Sequence, residues 1–407
     1  MQENKLKFYI KTYGCQMNFH DSALLEEGML QKGFKKTSSG VDADIIILNT
    51  CSVREHADHK VLSDIGRIKT GEEKKDGKNG KKVILAGCYA KQKIMSATSG
   101  AINENIKNIN EKPLPVNYLF GPEDILSIPD VLANGYTHSG KKIYCEAAPN
   151  NDLYYSKIKN LSNNKYKFKD AHPNSSEFIK ITEGCNNYCS YCIVPYVRGT
   201  ERSTPSDIIL KTIKNYAEKG VGEIVLLGQN VNSYRSPDDN SHDFVFLLKK
   251  ASEIEGIRKI KFLTSHPKDI NDSVIELIAE CDKISKELHL PFQSGSDRIL
   301  NAMNREYSRA RYLNIIKKLK SRCPAIVLST DIIVGFPGET DEDFEMTLSL
   351  MKEVEFNFIF GFKYSPRPFT KAYGMEDNVA LSIKKARLNR VFEVQKEISN
   401  STPNRLK

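Results

Sequence analysis

Short runs of Val, Ile, Leu and Phe punctuate this 407-residue chain at intervals that leave room for a helix between successive runs. In the first third they are KFYIKTYGC, DIIILNTC and KVILAGC, each closing on a cysteine (Cys15, Cys51, Cys88), and VNYLFG, which closes on Gly121 instead. Between them lie segments of helical periodicity, so the pattern predicts a parallel sheet with helices on its faces. After residue 177 the alternation resumes, with strands predicted at 178–182, 223–228, 259–264, 287–290, 325–335 and 356–362. Helices are predicted at 206–219, 243–252, 308–320 and 341–353. The fold class is therefore α/β: an open parallel sheet domain followed by a partial (β/α)6 barrel, with chemistry expected at the carboxyl ends of the strands. The last segment, LSIKKARLNRVFEVQKEIS, predicts a packed terminal helix.

The boundaries follow from shifts in composition. Residues 1–145 form the first domain, 146–176 an Asn-, Ser- and Lys-rich linker, 177–375 the barrel and 376–407 the terminal helix and tail. A charged, glycine-rich stretch at 69–82 reads as a solvated loop, with phosphate binding the other reading. Apolar residues make up 40% and charged residues 27%, which excludes a disordered chain. No apolar run approaches the length of a membrane span and the start carries no signal-peptide core, so a cytoplasmic protein without membrane contact is expected. A net charge of +9 favours a polyanionic partner.

Nine cysteines in a reducing compartment call for ligation or burial rather than disulfides. Cys145, Cys281 and Cys323 stand apart and read as small buried side chains. Cys15, Cys51 and Cys88 share one topological position, the end of a parallel strand, and so are expected to converge; separate burial in the core is the other reading. Cys185, Cys189 and Cys192 lie within EGCNNYCSYC, directly after the first barrel strand. A structural zinc site needs four ligands, and the nearest plausible fourth, His172, sits across the linker. A 4Fe-4S cluster held at three corners leaves one iron open.

That spacing, three residues and then two, resembles the radical S-adenosylmethionine (radical SAM) family. The resemblance implies that the open iron chelates SAM and that an electron from the cluster cleaves it. Tyr191 fits the family's aromatic position near the adenine of SAM, or is a plain core tyrosine. Gln229, Asn230, Gln293 and Asp331, at strand ends, are candidate SAM contacts or turn residues. With YGCQMNFHDS, NTCSVREHA, GCNNYCSYCIVPYVRGTERS, LLGQNVNSY, TSHPKD, LPFQSGSDRILNAMNR, DIIVGFPGETDEDF and YSPRP, the chain resembles the tRNA-2-methylthio-N6-dimethylallyladenosine synthase family from about residue 6 to 400.

Membership implies two 4Fe-4S clusters, on Cys15, Cys51 and Cys88 and on Cys185, Cys189 and Cys192, two uses of SAM, and transfer of a methylthio group to C2 of isopentenyladenosine beside the tRNA anticodon. Arg198, Arg202 and Arg367 are candidate RNA contacts, with surface ion pairs the alternative for the first two. A reductase or flavodoxin-type electron donor and a monomeric state are expected. The family usually continues into a small β-barrel RNA-binding domain after the terminal helix, and this chain stops where that domain would begin, an expectation of weakened tRNA binding. Other readings keep the reaction but change the substrate, to threonylcarbamoyladenosine tRNA or a ribosomal protein, or take the chain for a non-catalytic iron–sulfur RNA-binding relative.

Overall fold

A computed structural model describes residues 6–52, 55–70, 81–98, 114, 116–134, 143–144 and 176–401. The charged loop at 71–80, Cys145, the linker through residue 175 with His172, and residues 402–407 lie outside them. The chain falls into two compact units, Met1–Tyr166 and Lys167–Lys407.

In the first unit six strands pair in parallel: β1 (Lys7–Thr12), β2 (Lys35–Lys36), β3 (Ile45–Thr50), β4 (Lys82–Gly87), β5 (Tyr118–Phe120) and β6 (Ile143–Tyr144). Their order is β2-β1-β3-β4-β5-β6. Every residue of β3 is buried, because its side chains feed both faces in turn. Ile46 and Leu48 pack with Val61, Ile65 and Ile94 of helices Glu55–Thr70 and Cys88–Thr98. Ile45 and Ile47 pack on the other face with Leu25 and Met29 of helix Gln16–Gln31. The two-residue strands β2 and β6 carry too few apolar residues to show in the sequence pattern. From β1 the chain passes first to β2 on one side and then to β3 on the other, so the topological switch point lies between β1 and β3, directly below Cys15 and Cys51.

The second unit is an open, curved parallel sheet. Strands β7 (Ser176–Lys180), β10 (Glu223–Leu227) and β11 (Lys259–Phe262) form one half, and β12 (Glu287–His289), β13 (Val327–Val334) and β14 (Phe358–Lys363) the other. A parallel bridge between Ile260 and Ile284 joins the halves, and β14 does not pair with β7 among the described residues. Between β7 and β10, β8 (Thr182–Glu183) pairs antiparallel with β9 (Arg202–Ser203). Along β13 burial alternates: Leu328, Ile332 and Val334 join Leu348, Met351, Val391 and Val394 in the helix-packed core, while Ser329, Asp331 and Ile333 face the inside of the sheet, partly open. Helices begin where the sequence supplies a cap. Asp243, Asn271, Ser308 and Thr340 each accept an N–H of the first turn, and Thr340 and Asp343 complete a capping box. The predicted terminal helix is present as Leu381–Ser401 and lies against Gly361 of β14, where a methyl group would meet Leu388 Cδ1 at 2.8 Å. Among the described residues no helix is long and apolar enough to cross a membrane.

Candidate functional site

The loop that follows β8 is held on three sides before any ligand is considered. Gly184 has φ +81°, and a Cβ there would stand 2.1 Å from the carbonyl oxygen of Thr200, so only glycine fits. Its N–H donates to Gln229 Oε1 (2.6 Å), and the Cys185 N–H donates to the carbonyl of Gly199 (3.2 Å). Tyr188 takes the left-handed conformation, and Asn304 Nδ2 donates to the carbonyls of Asn187 (3.1 Å) and Tyr188 (3.2 Å). Ser190 donates its N–H to Met303 (2.9 Å) and accepts one from Ala372 (2.7 Å). Cys185 and Cys189 are buried and Cys192 partly so. Burial, with the neighbouring Cys189, pushes the Cys185 thiol up to about 11, and burial and the same neighbour raise Cys192. Thiols so enclosed ionise when a positive, thiophilic group enters, which is the behaviour of metal-ligating cysteines.

Around this loop, at the carboxyl ends of the strands, buried polar atoms lack protein partners: Thr182 Oγ1, Ser190 Oγ, Asn230 Oδ1, Ser265 Oγ, His266 Nε2 and Gln293 Oε1. Such atoms are rare in folded proteins, and their concentration at one mouth marks a place built for a polar ligand. Gln293 sits there with φ +65°, its backbone bridged to Ile332. Asn230 spends its amide N–H on Asp269 Oδ2 (2.6 Å), leaving its oxygen available. His266 Nδ1 accepts the Lys268 N–H (3.2 Å), which puts the ring hydrogen on Nε2; burial and the cations Arg305 and Lys268 push its pKa down to about 2, so it is a neutral donor. Asp331 stands apart, facing His289 Nε2 at 3.4 Å on the inner wall. Gln229 serves the loop backbone through its Oε1.

Other expectations change. Arg198, expected at the RNA surface, is enclosed. Its Nη1 donates to Glu183 Oε1 (2.7 Å), with Lys180 on the other carboxylate oxygen (3.0 Å) and all three side chains at most 5% exposed. The guanidinium is committed to a buried carboxylate, and the ion-pair reading replaces the phosphate one. Arg367 is also buried, and Arg202 is half-buried on β9. Tyr191 packs with Ile299, Met303, Phe336 and Tyr364. Sequence reasoning gave no role to Arg305, Asn304 or Glu183, and marked His266 only as part of TSHP, a strand-end stretch whose polar groups could meet SAM or make a turn.

In the first unit the register sets Thr50 of β3 beside Gly87 of β4, so Cys51 and Cys88 follow from adjacent positions. Gly14 approaches so closely that a Cβ on it would stand 2.2 Å from Cys51 Cβ and 3.1 Å from its Sγ, which brings Cys15's neighbour onto the same spot. Beneath, Asn18 Nδ2 donates to Asn49 Oδ1 (3.1 Å) and to the Thr50 carbonyl (2.9 Å), while Asn49 Nδ2 returns a bond to the Asn18 carbonyl (2.9 Å). This amide pair locks the helix after Cys15 to the end of β3. Ser52 Oγ and Gln92 Oε1, buried next to Cys51 and one turn after Cys88, have no partner among the described residues. Among the described residues no group of three His, Cys, Asp or Glu side chains already stands at metal-ligand geometry, so what the fold pre-forms is the backbone that carries the thiols.

Comparison with known proteins gives two family models: the Radical SAM superfamily over residues 179–351 and the Uncharacterized protein family UPF0004 over 7–105. A tRNA-2-methylthio-N(6)-dimethylallyladenosine synthase of Clostridium botulinum strain Hall is 44% identical over 394 residues, 97% of this chain and 82% of the relative. One from Thermoanaerobacter pseudethanolicus is 42% identical, covering 98% and 80%. The chain belongs to the tRNA-2-methylthio-N(6)-dimethylallyladenosine synthase family. It is a radical SAM enzyme, and the six orphaned polar atoms around the cysteine loop lie within the stretch matched by that superfamily. Among solved structures, the radical SAM methyltransferase TsrM of Kitasatospora setae, with cobalamin and a [4Fe-4S] cluster bound, aligns with TM-score 0.58 at 11% identity over 90% of this chain and 74% of that one. The cobalamin-dependent radical enzyme OxsB aligns with TM-score 0.52 at 11% identity over 97% and 56%. At such identity these two support the fold.

Proposed function

We propose that the chain adds a methylthio group to C2 of the isopentenyladenosine beside the anticodon of tRNA, using one 4Fe-4S cluster on Cys185, Cys189 and Cys192 and a second on Cys15, Cys51 and Cys88. The observation that carries this is the placement of each cysteine trio at the carboxyl ends of parallel strands, together with 44% identity over nearly the whole chain. When bound, the barrel cluster supplies the electron that cleaves SAM, and the second holds the sulfur to be transferred.

The protein's share is positioning. Cys185, Cys189 and Cys192 offer three thiolates on a loop fixed by Gln229, Asn304 and the Met303 carbonyl. His266 Nε2–H, Ser265 Oγ, Asn230 Oδ1 and Gln293 Oε1 would bind the polar parts of SAM, donors and acceptors both being present. Tyr191, packed beside Phe336 and Tyr364, would lie near the adenine. Asp331, farther down the inner wall beside His289, is the weaker contact. Enclosure of these groups keeps water from the reacting atoms. Arg202, half-buried on β9, remains the proposed RNA contact, while the burial of Arg367 disfavours that role for it, and a flavodoxin-type reductase and a monomeric enzyme complete the proposal.

Iron and sulfide counts after anaerobic reconstitution test it: two clusters for the wild type, one for each triple-alanine variant. Nucleoside analysis of tRNA from a deletion strain should show isopentenyladenosine without its methylthio group. If that modified nucleoside persists, the substrate is wrong.

A further inference from the structure

Arg305 is a buried cation that has no carboxylate beside it among the described residues. Its neighbours Asn304 and Glu306 both have left-handed backbone (φ 57° and 31°), a conformation that side chains other than glycine seldom take. The turn they make sends Glu306 outward to Lys268 (3.1 Å) and Arg305 inward, where it is 5% exposed. There Nε donates to Tyr307 Oη (3.1 Å), Nη2 to the Pro291 carbonyl (3.3 Å), and Nη1 to Cys189 Sγ (3.3 Å) and Tyr191 Oη (3.5 Å). A phenol hydroxyl and a peptide carbonyl are uncharged groups, so none of these three oxygens offers a counter-charge.

Two other enclosed arginines are treated differently: Arg198 meets Glu183 and Arg387 meets Glu339, both at 2.7 Å. A guanidinium stays protonated in any protein setting, and an enclosed charge without a counter-charge is unfavourable. Of the four groups Arg305 touches, the sulfur of Cys189 is the one that becomes an anion when the loop takes up its cluster.

We propose that Arg305 is the counter-cation built into the fold for the cluster on Cys185, Cys189 and Cys192, and that its N–H···S bond to Cys189 raises the reduction potential of that cluster. A nearby positive charge and a hydrogen bond to a ligating sulfur both favour the reduced, more negative state. Arg305 is thus a positioning and tuning residue that sets how readily the donor's electron is accepted. The inference rests on the cluster assignment proposed above.

The test uses the full chain with Cys15, Cys51 and Cys88 changed to alanine, so that one cluster is read. Within it Arg305, Arg305→Lys and Arg305→Met are compared for iron content, for midpoint potential by EPR-monitored titration with and without SAM, and for melting of the iron-free chain. The methionine variant should lower the potential so that the reduced-to-oxidised ratio at a fixed applied potential falls about tenfold, which is about 59 mV for a one-electron couple. Lysine should recover most of this, and a variant set in which lysine loads iron and methionine does not supports the same conclusion. Iron-free Arg305→Met should melt no lower than its parent, because an uncompensated cation has gone. If both variants fail to load iron, that melting comparison decides. A potential that stays put, or moves only once SAM is added, overturns the inference, as does an iron-free methionine variant that melts well below its parent, the behaviour of a plain structural tie. No iron in the parent sinks the cluster assignment itself; iron in the parent with an unmoved potential sinks only the role of Arg305.

Discussion

Replacing Arg198 by alanine separates two readings of the same residue. In the structure its guanidinium is buried against Glu183 at 2.7 Å, and Lys180 meets the other carboxylate oxygen at 3.0 Å. Removing one member of a buried pair typically costs about 3–5 kcal/mol, because the survivor keeps its desolvation penalty. Lys180 still neutralises part of the Glu183 charge, so the low end, about 3 kcal/mol, is expected. For a unit of this size each kcal/mol moves the melting temperature by about 2–4 °C, giving a drop of about 6–12 °C. The chain has no tryptophan, so the melt is best followed by far-UV circular dichroism. Arg198→Lys, which keeps the charge but loses the planar fork, should fall in between. tRNA affinity of the folded fraction should barely change, and the slope of affinity against salt should stay the same. A variant that melts like the wild type while that slope falls by about one would show that Arg198 meets a phosphate and that the ion-pair reading is wrong.

Four further outcomes are expected. Cys189→Ala should abolish 5′-deoxyadenosine formation, whereas Cys51→Ala should leave some SAM cleavage but no sulfur insertion; equal loss in both would contradict the division between the trios. Gly14→Ala places a methyl group onto Cys51 at a backbone conformation (φ +117°) that side chains avoid, and should cost about 3 kcal/mol in the first unit and empty the second cluster site, read by iron content and urea unfolding. Asn304→Ala removes the bonds to the carbonyls of Asn187 and Tyr188 and should reduce the iron retained by the loop trio when a chelator competes. For Asp343, burial alone would raise the carboxyl, but bonds from Arg298, Ser296 and Thr340 outweigh it and hold it at about 2. The stability it contributes is complete above the unfolded value of about 3.9 and is lost as pH falls through about 2. Asp343→Asn should therefore be less stable than the wild type at pH 7, with a gap that narrows toward pH 3; a constant gap would rule out the charge as its source.

The strands were legible because a parallel sheet covered on both faces demands unbroken aliphatic runs, and IIIL in β3 and VILA in β4 have no other easy explanation. The loop trio was legible because its spacing is short and local. Arg305 was not, since its meaning depends on a turn at Asn304 and Glu306 that carries it back to a cysteine 116 positions earlier. Nor was the enclosure of Arg198. The stretch YVRGTERS is charged and rich in turn residues, which suggests a surface, but β8 pairs with β9 and folds that stretch over Glu183. His266 fell between the two cases: TSHP stood out at a strand end, yet the orphaned Nε2 that gives it a use depends on the Lys268 N–H occupying Nδ1.

The backbones that carry the two proposed trios are held by different physics, and this bears on how each would fail. The loop trio sits on consecutive residues whose backbone is tied by Gln229, Asn304, Met303 and Ala372, so a local substitution perturbs it locally. The other trio exists only while three strands keep their register, Thr12 beside Asn49 and Thr50 beside Gly87. A slip of one residue would reverse every inward side chain of β3 and carry Cys51 away from Gly14. The Asn18–Asn49 amide pair joins helix to strand at that level and resists such a slip, since any other register leaves both amides buried without partners at about 1–3 kcal/mol for each orphaned group. Asparagine at those two positions is thus a register lock beneath the thiols, with Asn18 Oδ1 also accepting the Cys15 thiol (3.3 Å), which explains why both polar side chains lie completely buried at the heart of the first unit.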